Sequence, residues 1–512
     1  MKRMLVAALA AAAGFSIQAG AQTANHKAID RIDTVVVIYA ENRSFDNLYG
    51  FFPGANGWNH VTPKLSAQRD RDGSMLKELP AIWTGLTAKG ETPAVTEAQT
   101  QHLPDRPFAI DDPKGFNTRL DVITRDLWHL FYQNQMQIDG GRNDKFAAYA
   151  DSGGLVMGYY ENDAKNLPLW RVARRYVLAD NYFMGAFGGS FLNHQWLICA
   201  CTPTYPDADK TPAKEKIAAV EPDGVTLTLA GDSPKSALDG PPKFANNGTI
   251  TPDFFAINTM QPPYQPSANK PAPGADPALA DPANPTTLPP QTQQTIGDLL
   301  SAKGVSWAWY AGAWQMALDG KTGSPFPIFQ FHHQPFNYFA DMAPGTQARA
   351  DHLRDGGLDG TAFIKDIDEG RLPQVTFYKP QGNLNEHSGY ASVLAGDKHI
   401  ADVIAHLQKS KQWPHMLILV TYDENGGYWD HVAPPKGDRW GPGSRVPLII
   451  VSPYARHGYV DHTQYDTTSI LRFITRRFGL PTLPGIAARD AALQAHGSKP
   501  MGDLTASLAP AR

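Results

Sequence analysis

The chain has 512 residues and a formal net charge of -4, long enough to bury a large core as one α/β domain with insertions or as two to four smaller ones. So mild a charge excludes a basic field for nucleic acid, and equally the strongly acidic composition of a disordered chain. With only two cysteines, Cys199 and Cys201, a disulfide scaffold is excluded; at one residue's separation, a tight local bridge and a pair of buried thiols both stay open.

In chain order, Lys2 and Arg3 precede an apolar stretch running to about Ile17 and the small residues Ala19-Gly20-Ala21, the pattern of a signal peptide over 1–21. No later segment has the roughly 18 continuous apolar residues of a membrane span. Residues 22–512 are therefore expected to form a soluble, exported chain, periplasmic or secreted, with no stable membrane anchor. Thr34–Ala40 reads as a strand covered on both faces and runs into Glu41-Asn42. Residues 53–118, rich in Gly, Pro and polar residues, read as loops capping the sheet edge. Helices are predicted over about 120–136 and 167–176, a short strand over 176–179, and a helix opening at Ser190 after Gly188-Gly189.

From 203 to 292 the texture changes, and 261–291 is crowded with Pro, Ala and Asn, which predicts a surface insertion without a core of its own. Regular structure resumes with a helix over 295–302 and a strand over 305–310. Strands at 374–378, Met416–Tyr422 and 446–451 alternate with helices at 398–409 and 469–477. The alternation predicts a single doubly wound α/β domain with a mostly parallel sheet.

The second long apolar strand, Met416–Tyr422, runs into Asp423-Glu424 as the first runs into Glu41-Asn42. Open α/β sheets bind ligands outside the carboxyl ends of their strands. If both strands lie near the middle of one sheet, three carboxylates and an amide oxygen converge there, and a divalent cation answers that charge. Oxygen ligands suit calcium, magnesium, manganese, iron and zinc alike, so the metal is not identified. Ser190, exposed where a glycine turn enters a helix, adds a nucleophile beside free backbone N–H groups that favour an anion. The surroundings lack the Gly-x-Ser-x-Gly elbow of acyl hydrolases, which favours phosphoryl transfer. His129, His332, His333, His387 and His431 stand among aromatic, Gly and Asn residues at element ends and supply candidates for contacts to phosphoryl oxygens and leaving group.

Glu41-Asn42-Arg43-Ser44-Phe45-Asp46, Asp180-Asn181-Tyr182-Phe183 and Asp423-Glu424-Asn425-Gly426-Gly427-Tyr428-Trp429-Asp430-His431 closely resemble the bacterial phosphoesterase family of acid phosphatases and phosphatidylcholine-type phospholipases C. The similarity runs from about residue 32 to about 480. It implies an alkaline-phosphatase-like fold with helices on both faces of the sheet, one metal ion and a covalent phospho-enzyme. Carried over, the pattern makes Glu41, Asn42, Asp423 and Glu424 metal ligands and Ser190 a metal-bound nucleophile. His129, His333 and His387 would surround the phosphoryl group, with His332 and His431 as further substrate-binding residues. Phospholipase members tend to show Gly-Pro-Thr at the nucleophile where this chain has Gly188-Gly189-Ser190, and often carry C-terminal β domains for which this chain leaves no room. Both departures point to an acid phosphatase acting on small phosphate monoesters. The alternatives are a phospholipase C or other phosphodiesterase using the same site, and an exported anion- or metal-binding protein without turnover.

Overall fold

The computed structural model describes residues 28–321 and 328–509; the predicted signal peptide lies outside them. Eight strands form one sheet: β1 (Thr34–Ala40), β2 (Val177–Ala179), β3 (Trp307–Gly312), β4 (Leu353–Gly357), β5 (Val375–Lys379), β6 (Met416–Tyr422), β7 (Leu448–Val451) and β8 (Tyr459–Asp461), in the spatial order β8-β2-β7-β6-β1-β5-β3-β4. All pairings are parallel except those of β7, which runs antiparallel to both β2 and β6. The two long apolar strands are thus direct neighbours at the centre, in register Thr34↔Met416 through Ala40↔Tyr422.

The helices that matter are α1 (Phe131–Ile138), α2 (Pro168–Arg175), α3 (Ser190–Cys199), α4 (Ile296–Ala302), α5 (Thr361–Asp368), α6 (Val393–Lys409), α7 (Thr467–Phe478) and α8 (Pro484–Ala495). One layer is made by α2 and α5, each packed on α6, and a second by α4 and α7, each packed on α3. Successive side chains of a strand face opposite ways, and β5 shows where each layer lies. Phe377 stacks on Trp309 of β3 at 5.3 Å, and that Trp309 ring lies 6.0 Å from His194 of α3. The next residue, Tyr378, stacks on Phe363 of α5 at 4.2 Å. Every residue of β1, β3, β5, β6 and β7 is buried, as burial on both faces of a parallel sheet requires. The fold is α/β with a mostly parallel sheet covered on both faces.

Two expectations change, and one alternative left open is decided. Of the helix predicted over 120–136, only the end forms; 127–130 is not helical, because Trp128 N–H donates to Asp151 Oδ1 at 2.8 Å and Leu130 adopts an extended ψ of 159° before α1. Residues 203–292 have only short turns and isolated bridges, yet Ile250, Ile257 and Met260 are fully buried in the main core, so the segment is more than a surface insertion. Cys199 and Cys201 form a disulfide where α3 ends, with Ala200 between them at φ 48°.

Candidate active site

Where β1 and β6 leave the sheet side by side, Asp423 N–H still donates to the Ala40 carbonyl at 3.1 Å, and Glu41, Asn42, Asp423 and Glu424 follow, all fully buried. The N-terminus of α3 meets them. Ser190 Oγ stands 3.4 Å from Asn42 Oδ1 and 3.4 Å from Glu424 Oε1, at a cavity of 270 Å³. The capping residue of α3 is Gly189, which has no side chain to satisfy the first N–H groups of the helix, so they remain free for an anion. The paired glycines are required by what lies behind them: a Cβ on Gly189 would sit 2.7 Å from the His129 carbonyl oxygen, and one on Gly188, at φ +88°, 2.4 Å from the Phe131 nitrogen.

The electrostatics call for a cation. Burial pushes Asp423 up to about 7, with Lys379 opposing and Glu41 adding to the rise. Burial likewise pushes Glu424 up to about 8, against the pull of His129. Asp423 Oδ2 is buried with no hydrogen-bond partner. An orphaned carboxylate oxygen, two carboxyls short of positive charge, an amide oxygen and a hydroxyl fit a divalent ion. Glu41 differs: burial raises its pKa, but His333 and Lys379 hold the carboxyl well below the usual range. Its Oε1 lies 2.6 Å from Lys379 Nζ and touches His333 Nε2, and its Oε2 accepts from Tyr390 Oη at 2.9 Å.

The expected histidines divide. His129, His332 and His387 line the cavity with Ser190. His129 Nδ1 donates to the Leu127 carbonyl at 2.6 Å, leaving Nε2 3.8 Å from Glu424 Oε1. Burial opposes its charge, but Glu424, Asp126 and the Leu127 carbonyl prevail and raise its pKa to about 9. Burial lowers His387, and its Nδ1 is held by the Ser388 carbonyl. His333 does not line the cavity; it sits behind on Glu41, lowered to about 4 chiefly by burial. His332, expected only as a further substrate-binding residue, is the one of that pair that lines the cavity.

His431 is a correction. Its Nδ1 is 2.6 Å from Asp46 Oδ2 and its Nε2 3.1 Å from Asn56 Oδ1, away from the Ser190 cavity. Arg445 completes this cluster, 3.0 Å from Asp46 and 2.9 Å from Asp430. The cluster ties the segment after Asn42 to the one after Glu424, and His431 is not among the residues that line the Ser190 cavity.

Sequence reasoning missed Lys379, His194, Tyr390, Asp126 and Asn258. A signal existed for Lys379, which ends an apolar strand as the metal-site pairs do, and for His194, one helical turn after Ser190. Asn258 and Thr259, from the Pro-rich segment, line the cavity; Asn258 Oδ1 accepts from Phe131 N–H at 3.0 Å. No local pattern announces these two.

A model of the Phosphoesterase family matches residues 32–481. Among curated proteins, the chain is 23% identical over 512 residues to "Phospholipase C B" of Mycobacterium tuberculosis, covering 93% of this chain and 77% of that protein. It is 22% identical to "Non-hemolytic phospholipase C" of Pseudomonas aeruginosa, covering 89% of this chain and 55% of that protein. Among solved structures, a protein in the alkaline phosphatase superfamily from Vibrio parahaemolyticus aligns with a TM-score of 0.27 and 10% identity, covering 63% of each chain. The lipoteichoic acid synthase LtaP of Listeria monocytogenes aligns with a TM-score of 0.30 and 9% identity, covering 67% of this chain and 70% of that one.

Proposed function

Because the chain belongs to the Phosphoesterase family, and so is a phosphoester hydrolase, we propose that it is an exported, metal-dependent acid phosphatase acting on small monoesters through a phosphoserine at Ser190. The carrying observation is Ser190 Oγ, set at the uncapped N-terminus of α3 and 3.4 Å from both Asn42 Oδ1 and Glu424 Oε1. The cavity of 270 Å³ is at the small end for ligand sites and suits a phosphoryl group with a compact alcohol. Export rests on the signal-peptide pattern of residues 1–21.

A divalent ion held by Asn42, Asp423 and Glu424, with Glu41 at its edge, would lower the pKa of the Ser190 hydroxyl and neutralise phosphoryl charge. The free N–H groups at the start of α3 take the equatorial oxygens. Ser190 Oγ, as the alkoxide, bonds to phosphorus while the bond to the alcohol oxygen breaks, and His129 gives that oxygen its proton. Water then attacks phosphorus, gives its proton to the same His129, and the bond to Ser190 Oγ breaks.

The second reading is a phospholipase C with the same chemistry, favoured by the names of the relatives. The test is phosphate release from an aryl monophosphate against headgroup release from phosphatidylcholine, with Ser190→Ala alongside. The monoester should be the faster substrate, and Ser190→Ala should lose turnover and acid-stable phosphate on the protein. Faster cleavage of phosphatidylcholine selects the second reading; near-normal turnover by folded Ser190→Ala removes the nucleophile assignment.

A further inference from the structure

Beside the oxygens assigned to the metal lie Lys379, His194 and His333, donors that the chemistry above leaves unused and that crowd two of its carboxylates, Glu41 and Asp423. Lys379 ends β5, next to β1, and is fully buried. Since Tyr378 faces α5, strand alternation turns Lys379 toward α3. There its Nζ is 2.6 Å from Glu41 Oε1 and 5.5 Å from the centre of the Tyr39 ring. Ligand-type atoms crowd the same carboxylate. Those of Glu41, His332 and His333 lie within 4.8 Å of one another, and so do those of Glu41, His194 and Asp423.

Several of these atoms are buried and unpartnered. His194 Nδ1 donates to the Ser190 carbonyl at 2.7 Å, which leaves Nε2 as a lone pair with no partner. Asp423 Oδ2, likewise without a hydrogen-bond partner, faces His194 Nδ1 at 3.6 Å. His333 reaches the Glu41 carboxylate through Nε2, which touches Oε1. Imidazoles and carboxylates in this proportion are the donor set of a zinc-class divalent ion. A divalent ion beside Glu41 Oε1 would stand against the Lys379 ammonium, a close repulsion in a water-excluded site. Charge balance agrees: the three ionised carboxylates of Glu41, Asp423 and Glu424 are matched by one ammonium and one divalent ion, and a protonated His129 beside Glu424 already exceeds that balance. A buried cation plays the same part elsewhere in this chain, where Arg445 occupies the Asp46, Asp430 and His431 group.

We propose that Lys379 fills a second cation position next to the metal, so that the centre takes one divalent ion per chain, and that removing the ammonium opens the position to a second ion held by Glu41, His194, His333 and Asp423. The proposal rests on the one-metal reading of the site. The experiment is a Zn²⁺ titration of the full chain, with bound metal per protein counted by elemental analysis and Tm recorded with and without Zn²⁺. The wild-type chain and Lys379→Arg should hold one ion, Lys379→Met two, and the double variant Lys379→Met/His194→Ala one again. Zn²⁺ should raise the Tm of Lys379→Met more than that of wild type. Two ions in the wild type, or one in folded Lys379→Met, overturn the proposal. If Lys379→Met does not accumulate as folded protein, the wild-type titration decides: a second equivalent bound as tightly as the first overturns it, and saturation at one supports it. A wild type that binds no ion removes the one-metal reading itself, a result distinct from either.

Discussion

Five histidines enter this site's vicinity from the sequence, and their surroundings give them different work. At His129, Glu424, Asp126 and the Leu127 carbonyl outweigh burial and favour the protonated ring. His387 and His332 line the same cavity, where burial disfavours their charged forms. Replacing His129 by Asn should therefore lower kcat by about 10²–10⁴-fold, the usual yield of general acid catalysis. The loss should be largest for alkyl phosphates, whose leaving alcohol needs the proton, and smallest for nitrophenyl phosphate, with little change in Tm. Equal losses across leaving groups would remove His129 as the acid. Glu41, Asn42, Asp423 and Glu424 were legible in the sequence because each pair directly follows a long apolar strand. His431 was misleading, since its local setting beside Trp429 and Asp430 is the same whether the ring meets a substrate or, as here, Asp46.

Elements place these residues through close backbone contact. α3 can bring Ser190 against Asn42 and Glu424 only because the Gly188-Gly189 turn lies flat on the non-helical chain at 129–130 and on Phe131, where α1 begins. That chain is non-helical because its hydrogen bonds go to Asp151 and across to Asn258 rather than along a helix. Gly189 has φ -97°, a value open to any residue, so Gly189→Ala is a steric test and not a test of strain. It should lose about 1–3 kcal/mol, as overpacking does, together with turnover, whereas Gly231→Ala, with nothing within 4 Å of the added Cβ, should leave both unchanged. Denaturant unfolding and phosphate release measure the two effects. Most strands and helices with an apolar period were readable in the sequence; β4 and β8, short strands at the two sheet edges, and α5 and α8 were not. β4, Leu-Arg-Asp-Gly-Gly, carries no strand-like pattern and exists because β3 offers it a parallel partner.

Across the whole molecule, buried carboxylates make stability depend on pH. Asp397 on α6 accepts from Leu169 N–H of α2 at 3.0 Å through Oδ1, while Oδ2 has no partner. Burial pushes it up to about 7, and the same burial, with Asp397 nearby, raises Glu386. The folded pKa lies above the unfolded value of about 3.9, so between those two values the folded chain binds more protons than the unfolded one. Stability from this group is complete below about pH 4 and is lost as pH rises through 7. Asp397→Asn keeps the Leu169 hydrogen bond without the charge, and should stabilise the fold above pH 7 by on the order of 1–4 kcal/mol and flatten the difference curve between pH 4 and 7. Unfolding of both proteins across that range measures it; parallel curves would show that Asp397 ionises normally.

Local chemistry was enough to determine the two strands, the oxygen donors that follow them and the serine at a helix start, because each is a pattern within a few residues. Apolar runs demand burial on both faces, and polar pairs at their ends must then find one another or a cation. Tertiary structure alone decided that β1 and β6 are neighbours in exact step, that His129 and not His431 reaches the cavity, and that a segment rich in proline supplies Asn258. It also decided that Lys379 turns onto Glu41. These outcomes join residues tens to hundreds of positions apart, and the burial and charge that fix them belong to no local stretch of sequence. The glutamate and asparagine after the first strand, and the aspartate and glutamate after the second, were chemistry waiting for an address; the central pairing of the sheet provided it.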